Sequence, residues 1–171
     1  GITAGNYILS TATGTLTVQP AALTITASNV AMNYGASSLP NLTYTAPGLV
    51  NGDTLSGALS TAATAHVTGA AGSASNVGTY AIVQGSLTAS ANYTVTFVAG
   101  TLTVNPVALT ITASLQSVVY GAGTTLSGTA FTSSGLVNGD TVSTVLAKYN
   151  NSASVDVLTN AGVYANSIVL S

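Results

Sequence analysis

The chain has 171 residues, of which only 2% are charged: one lysine, three aspartates, and no arginine or glutamate. A single lysine cannot neutralise the several phosphates that nucleic-acid binding requires, so that partner is excluded. Every apolar run is interrupted by Thr, Ser, Asn or Gly well before the roughly 20 residues that a membrane helix needs. The positive mean hydropathy of +0.55 therefore reflects missing charges and not a membrane span. The absence of cysteine excludes disulfides and thiolate chemistry.

The sequence repeats itself. TLTVQPAALTITAS at Thr15–Ser28 returns as TLTVNPVALTITAS at Thr101–Ser114, 86 residues later and identical at twelve of fourteen positions. Such a fixed period is the mark of a repeat architecture. Three further blocks recur in the same order, with offsets of 84 to 87 residues: Tyr34-Gly35 and Tyr120-Gly121, GLVNGD at 48–53 and 135–140, and SNVGTY and TNAGVY at 75–80 and 159–164.

The repeats divide the chain into three segments. Residues 1–20 are interpreted as the C-terminal strands of a preceding repeat, 21–106 as a complete β repeat, and 107–171 as the N-terminal three-quarters of the next. GITAGNYILSTATGTLTV at the start matches LTASANYTVTFVAGTLTV before residue 105, so the two ends complete each other. Either the sequence is a window on a longer tandem array, or neighbouring subunits donate strands head to tail. Both predict terminal pieces that need a partner to bury their apolar faces.

Alternating apolar and small polar residues predict strands in ALTITA, NLTYTA, NYTVTFV and TLTV, which are rich in Thr, Val, Ile and Tyr. In NYTVTFV, Tyr93, Val95 and Phe97 are expected on one face, opposite the intervening threonines. Residues 54–67 are Ala-rich but interrupted by Ser, Thr and Gly. We interpret them as strand and loop, with a helix as the alternative.

Two kinds of dipeptide punctuate the strands. Asn-Gly at 51–52 and 138–139 lies between extended runs, and both residue types tolerate positive φ, so each pair predicts a tight hairpin turn. A proline separates TLTV from ALTITA in each repeat; it cannot donate to a ladder and favours an extended residue before it. These pairs are interpreted as the inter-repeat linkers: Gln19, Pro20, Asn105 and Pro106.

The form Asn-x-Gly-x-Tyr occurs at 76–80 and 160–164. It resembles the tyrosine corner of immunoglobulin-like sandwiches, in which the hydroxyl bonds to upstream backbone. Alternatively, both tyrosines are simply core aromatics. Six to eight short strands in each repeat of about 86 residues suit an all-β fold of small β-sandwiches. A β-grasp is the alternative.

Taken together, the YG, GLVNGD, VGTY and GTLTV blocks resemble the MBG domain of the YGX type, over essentially the whole chain. The resemblance implies tandem repeats of large secreted bacterial surface proteins, including filamentous-haemagglutinin-like adhesins. It implies an extracellular location at the cell surface and brings no catalytic residues and no cofactor. SNVAMNYG departs from the family pattern, because it lacks the Lys and Asp that commonly precede YG.

The few chemically active side chains do not suggest a catalytic or metal site. Asp53 and Asp140 follow Asn-Gly in equivalent positions and are interpreted as turn residues. His66 is the only histidine and is interpreted as a surface or packing residue, so no Ser–His–Asp set is expected and the chain is not expected to be an enzyme. Lys148 and Asp156 could form a cross-strand ion pair or, as the less favoured alternative, an isopeptide crosslink.

Two functions remain open on the sequence. The favoured one is a neutral stalk or fibre of an adhesin, as in a biofilm, whose partners are neighbouring copies in covalent tandem or head to tail. The edge strands lack the charges that normally prevent lateral pairing, so self-association is permitted. The alternative is a module that binds extracellular polysaccharide or another cell surface. Its first candidate for ligand contact is Tyr149, which is expected in a loop, AKYNNS, that has no match in the first repeat.

Overall fold

The computed structural model describes residues 5–8, 10–149, 154–155, 162 and 168–170. These residues form β-strands and loops and contain no helix, so the predicted all-β class is confirmed. Residues 54–67 hold one short strand between loops, as interpreted. Within the described ranges, no helix suited to crossing a membrane is found.

Seven strands build the first repeat: β1 (Ala21–Ala27), β2 (Val30–Asn33), β3 (Tyr44–Thr45), β4 (Ser60–Thr61), β5 (Gly78–Val83), β6 (Tyr93–Val98) and β7 (Gly100–Asn105). They form two sheets, in the order β3-β1-β6 and β2-β7-β5-β4. This is a small sandwich of two sheets, as predicted, and not the alternative β-grasp, which would need a helix.

The chain changes sheet between β1 and β2 and again between β6 and β7, and these two crossing points pack together. The Asn29 carboxamide oxygen accepts a hydrogen bond from the Thr101 N–H at 2.8 Å. A Cβ on Gly100 would lie 2.8 Å from the carbonyl oxygen of Ser28, which is closer than real Cβ contacts. Glycine is therefore needed at this crossing.

The last two strands of the repeat pair with its first two. β6 pairs parallel with β1, from Ala21 opposite Tyr93 to Thr26 opposite Val98. β7 pairs parallel with β2, from Val30 opposite Leu102 onwards. On its other edge β1 has only the short antiparallel strand β3. The C-terminal strands are therefore an integral part of both sheets.

The core forms two clusters of buried residues between the sheets. Their members come from both ends of the repeat: Ala27, Ala63, Ile82, Leu102 and Val104 in one cluster, and Leu23, Ile25, Leu87 and Tyr93 in the other. Phe97 packs against both clusters, and Val95 against one, whereas the threonines between them are exposed. The predicted alternation along β6 is therefore confirmed.

The tyrosine corner is confirmed in the first repeat. The Tyr80 hydroxyl donates a hydrogen bond to the carbonyl oxygen of Asn76, four residues upstream, at 2.8 Å. The ring also packs against the core, so Tyr80 is both a tyrosine corner and a core aromatic. The second instance, at 160–164, lies outside the described residues except for residue 162.

The Asn-Gly turns form as predicted, but they do not close hairpins. Asn51 and Gly52 have φ of 56° and 74°, and the Asp53 N–H donates to the Val50 carbonyl oxygen at 3.0 Å. The flanking strands β3 and β4 lie in different sheets, however, so the hairpin prediction was wrong. The turn reverses a chain that crosses from one sheet to the other at the end of the sandwich.

Six strands are described in the second repeat: β8 (Thr110–Ala113), β9 (Thr124–Thr125), β10 (Phe131–Ser134), β11 (Ala147–Tyr149), β12 (Ser154–Val155) and β13 (Ile168–Leu170). β8 pairs antiparallel with β10, in the way β1 pairs with β3. In the described part of the chain no strand pairs with the other edge of β8, although β13 lies near it.

Candidate functional site: the interface between the repeats

The side chain of Asn138, in the second Asn-Gly turn, is buried against the first repeat and is only 3% exposed. Its amide oxygen accepts the Ala74 N–H at 3.0 Å, and its amide nitrogen donates to the Tyr34 hydroxyl at 2.8 Å. Its backbone carbonyl accepts the Gly72 N–H at 2.9 Å. Its φ of 57° is left-handed, a conformation that asparagine adopts more readily than most residues.

His66 completes this cluster. Its Nδ1 lies 2.9 Å from the Asn138 amide oxygen, which can only accept, so Nδ1 carries the proton in this contact. The Ser73 hydroxyl lies 3.3 Å from the same nitrogen and accepts the Val67 N–H at 2.8 Å. The histidine is therefore part of the hydrogen-bonded interface between the repeats. No buried side-chain polar atom in the described ranges lacks a partner.

Two glycines allow the repeats to approach closely. A Cβ on Gly35 would lie 2.5 Å from Cγ2 of Val137, and a Cβ on Gly139 would lie 2.6 Å from Cβ of Ala71. Both glycines also have positive φ, at 76° and 74°. Any other residue would therefore be disfavoured both by its conformation and by the packing across the interface.

The equivalent groups at the outer ends of the pair have no such neighbours. Asn51 is exposed and makes no side-chain hydrogen bond within the described ranges. A Cβ on Gly52 or on Gly121 would meet nothing within 4 Å. Tyr120, the counterpart of Tyr34, is 67% exposed. The Tyr-Gly and Asn-Gly elements of the interface thus each occur twice in the sequence, and among the described residues they meet once.

A second polar cluster ties β6 to the turn of its own repeat. The Tyr93 hydroxyl donates to the Asp53 carboxylate at 2.7 Å and accepts the Val50 N–H at 3.0 Å. The Val50 N–H lowers the pKa of Tyr93, but the Asp53 carboxylate and burial together raise it above its ordinary value. Asp53 is a turn residue, as interpreted, with an added role that the sequence did not reveal.

The predicted linker residues lie at both ends of the first repeat. Gln19 and Pro20 are exposed and directly precede β1. Asn105 is the last residue of β7, and its carbonyl oxygen accepts the Tyr34 N–H at 2.8 Å. Pro106 follows it, before β8. The linker role of these four residues stays a prediction.

Tyr149 does not lie in a loop. It is the half-buried last residue of β11, opposite Ile168 of β13, so its predicted placement was wrong. The reason is that AKY pairs with the C-terminal strand β13. Lys148 lies in the same strand, whereas Asp156 is outside the described residues, and their proposed pairing stays a prediction. Among the described residues, no three His, Cys, Asp or Glu side chains converge.

Sequence reasoning missed the cluster of Tyr34, His66 and Asn138 because its members lie up to 104 residues apart. The available signal was the recurrence of Tyr-Gly and of Asn-Gly, which implied a shared role without showing that the two motifs meet.

The sequence matches the MBG domain (YGX type) over residues 23–103 and again over 109–171. No curated protein and no solved structure matches the chain. The two matched segments follow one another and cover most of the sequence, in agreement with the period of about 86 residues. The chain therefore belongs to the MBG domain family of the YGX type, as tandem copies.

Proposed function

We propose that this chain is a structural stalk or fibre segment of a secreted bacterial cell-surface adhesin. The observation that supports this most is the interface around Asn138, where a side chain of one repeat is buried in the next. Tandem repeats joined in this way extend a protein in a defined direction, which is what a spacer between cell and target needs.

The contacts favour a fixed angle between the repeats. Interfaces between domains of one chain are commonly polar and permit relative motion. Here Asn138 is held by three separate groups of the first repeat: the Tyr34 hydroxyl, the Ala74 N–H and the His66 ring. Directional bonds of this kind, together with the close approach at Gly35, restrict rotation about the short connection at Pro106.

Composition supports an assembling surface protein. The net charge is −2 over 171 residues, so charge repulsion between copies is weak. Exposed threonine and serine keep the surface hydrated without fixed charge. We therefore propose an extracellular location on the bacterial surface, with neighbouring copies of the same repeat as the partners.

The experiment is immunogold electron microscopy of whole cells and of thin sections of the source bacterium, with antibodies against the purified chain. Label along filaments or stalks outside the cell is the expected result. Label confined to the cytoplasm would contradict the proposal. Label at distal tips alone, together with glycan binding lost in Tyr149→Ala, would favour the alternative module that binds polysaccharide or another cell surface.

A further inference from the structure

We propose that copies of this chain join head to tail through residues 6–18, which we call the donor segment. The donor segment of one copy adds to the second repeat of another along β8 and residues 116–119. The Asn51-Gly52 turn of the donating copy then docks on Tyr120-Gly121 of the receiving copy. The inference rests on the proposed fibre function and identifies the contacts that would join one copy to the next.

The first repeat shows what such a joint looks like when it is complete. There β6 and β7, at 93–105, pair parallel with β1 and β2 and fill the core. The donor segment is the sequence counterpart of that region, since NYILSTATGTLTV at 6–18 aligns with NYTVTFVAGTLTV at 92–104. The donor segment therefore has the sequence that matches the uncovered edge of the second repeat.

The donor segment is exposed at the positions where its counterpart is buried. Tyr7, Leu16 and Val18 are 83%, 88% and 85% exposed. The aligned residues in the complete repeat are only 8%, 0% and 1% exposed: Tyr93, Leu102 and Val104. An apolar alternation this exposed gains from burial wherever a matching sheet edge is available.

The second repeat offers that edge. Leu109 is 45% exposed, whereas its counterpart Leu23, in β1 beside β6, is only 1% exposed. On the described part of the chain β8 is paired on one side only. Val118 and Val119, which follow in the position of β2, are likewise exposed. Val118 is the counterpart of Met32, which packs against the core of the first repeat.

The internal repeat also fixes the register. Val30 lies opposite Leu102, so Gln116 is expected opposite Leu16, and Ser117 opposite Thr17. The Tyr93 hydroxyl binds the Asp53 carboxylate, so the Tyr7 hydroxyl is expected to reach Asp140 of the receiving copy.

The turn provides a second, independent contact. Asn51 has almost the same left-handed φ as Asn138, 56° against 57°. Asn138 donates a hydrogen bond to the Tyr34 hydroxyl, and Tyr120, the counterpart of Tyr34, offers an equivalent hydroxyl group to Asn51. His66 has no counterpart in the second repeat, since it is the only histidine. The joint between copies therefore shares the tyrosine–asparagine half of the internal interface and lacks the histidine.

The donor segment must come from another copy. Only Gln19 and Pro20 separate it from β1, and two residues span at most about 7 Å. A bound donor segment therefore places its own first repeat at the Tyr120 end of the receiving repeat. The first repeat of the receiving copy is already held at the opposite end, by Asn138.

The first experiment compares paired substitutions on the two faces of the donor segment. Leu16→Asp with Val18→Asp puts charges where the joint would be buried, and Thr15→Asp with Thr17→Asp puts them on the alternate face. All four side chains are exposed in the single chain, so folding should be unaffected, as circular dichroism would verify. Light scattering and electron microscopy should show polymers for the wild type and the threonine pair, and single chains for the first pair.

The second experiment tests the register, using the absence of cysteine from the chain. Thr17→Cys with Ser117→Cys should give a ladder of disulfide-linked oligomers on oxidation, and Thr17→Cys with Val119→Cys, two residues out of register, should give little. Equal ladders would overturn the register. A wild type that stays a single chain at every concentration would overturn the joint. The stalk function would not be affected by that result, because the labelling of cells tests it separately.

Discussion

The turns at 51–53 and 138–140 have the same sequence, Asn-Gly-Asp, and almost the same backbone conformation. One is exposed at the outer end of the first repeat, and the other is buried against the neighbouring repeat. Their shared sequence determines the local turn, and the neighbour determines whether the asparagine side chain stabilises anything. The tandem repeat thus supplies matched controls, because the Tyr-Gly and the Asn-Gly residues of the interface each have a counterpart that makes no such contact among the described residues.

The same comparison applies to GTLTV, which occurs at 14–18 and at 100–104. At 100–104 it is β7 and lies in the core, whereas at 14–18 it is exposed. The four predictions that follow concern single chains, at dilutions that keep copies apart, and each compares a substitution at the used position with the same substitution at its unused counterpart.

The largest difference is expected between Leu102→Ala and Leu16→Ala. Leu102 is fully buried, so truncation should lower the free energy of unfolding of the first repeat by about 2–5 kcal/mol, through lost burial and the cavity left behind. Leu16 is exposed, and its truncation should change that free energy by less than about 0.5 kcal/mol. Urea denaturation measures both. Equal losses would mean that residue 16 is already packed in the single chain.

The next difference is expected between Asn138→Ala and Asn51→Ala. Both variants place alanine at a left-handed φ, so that cost cancels in the comparison. Asn138→Ala also leaves the Ala74 N–H and the Tyr34 hydroxyl without their partner, which should cost about 2–4 kcal/mol more in the free energy of unfolding. Calorimetry of the two variants checks this. Indistinguishable variants would show that the buried contact contributes nothing.

A smaller difference is expected between Gly35→Ala and Gly121→Ala. Positive φ disfavours alanine at both sites, and only at Gly35 does the new methyl group meet Val137 across the interface. The overlap should cost about 1–3 kcal/mol beyond the conformational cost. The double variant Gly35→Ala with Val137→Ala should recover part of it. Failure to recover would place the strain elsewhere than between these two side chains.

The last prediction concerns pH. Because the pKa of Tyr93 is raised in the folded state, the folded protein keeps this proton when the unfolded chain loses it. The stabilisation is therefore complete below the unfolded value of about 10 and is lost as pH rises through the folded pKa. Tyr93→Phe should flatten the alkaline loss of stability, and Tyr7→Phe should leave it unchanged. Parallel profiles for all three proteins would contradict the assignment.

Much of the fold was predictable because the relevant signals are local. The alternation in NYTVTFV placed Tyr93 and Phe97 inside, and the Asn-Gly pairs predicted positive φ. The tyrosine corner could be expected at Tyr80 because donor and acceptor lie four residues apart. Local patterns could not show that the strands beside Asn51 belong to different sheets, and this is why the hairpin prediction failed.

The interface depended on information that a local pattern does not contain. Asn138 is buried because a loop of another repeat, around Ser73, surrounds it, and no periodicity in the sequence encodes that meeting. Tyr149 was placed in a loop because AKYNNS has no match in the first repeat, but it belongs to β11 and lies opposite Ile168 of β13. In both cases a tertiary contact decides the environment of a residue whose local sequence is unremarkable.

The central claim is that the Asn138 contact fixes one repeat against the next. The most direct test is small-angle X-ray scattering of dilute single chains, using the Leu16→Asp with Val18→Asp background to keep copies apart. One compact arrangement of the two repeats is expected in that background and with Asn51→Ala added, and a broadened distribution of distances is expected with Asn138→Ala added. The same broad distribution in all three proteins would contradict it, because the repeats would then move independently with the contact intact.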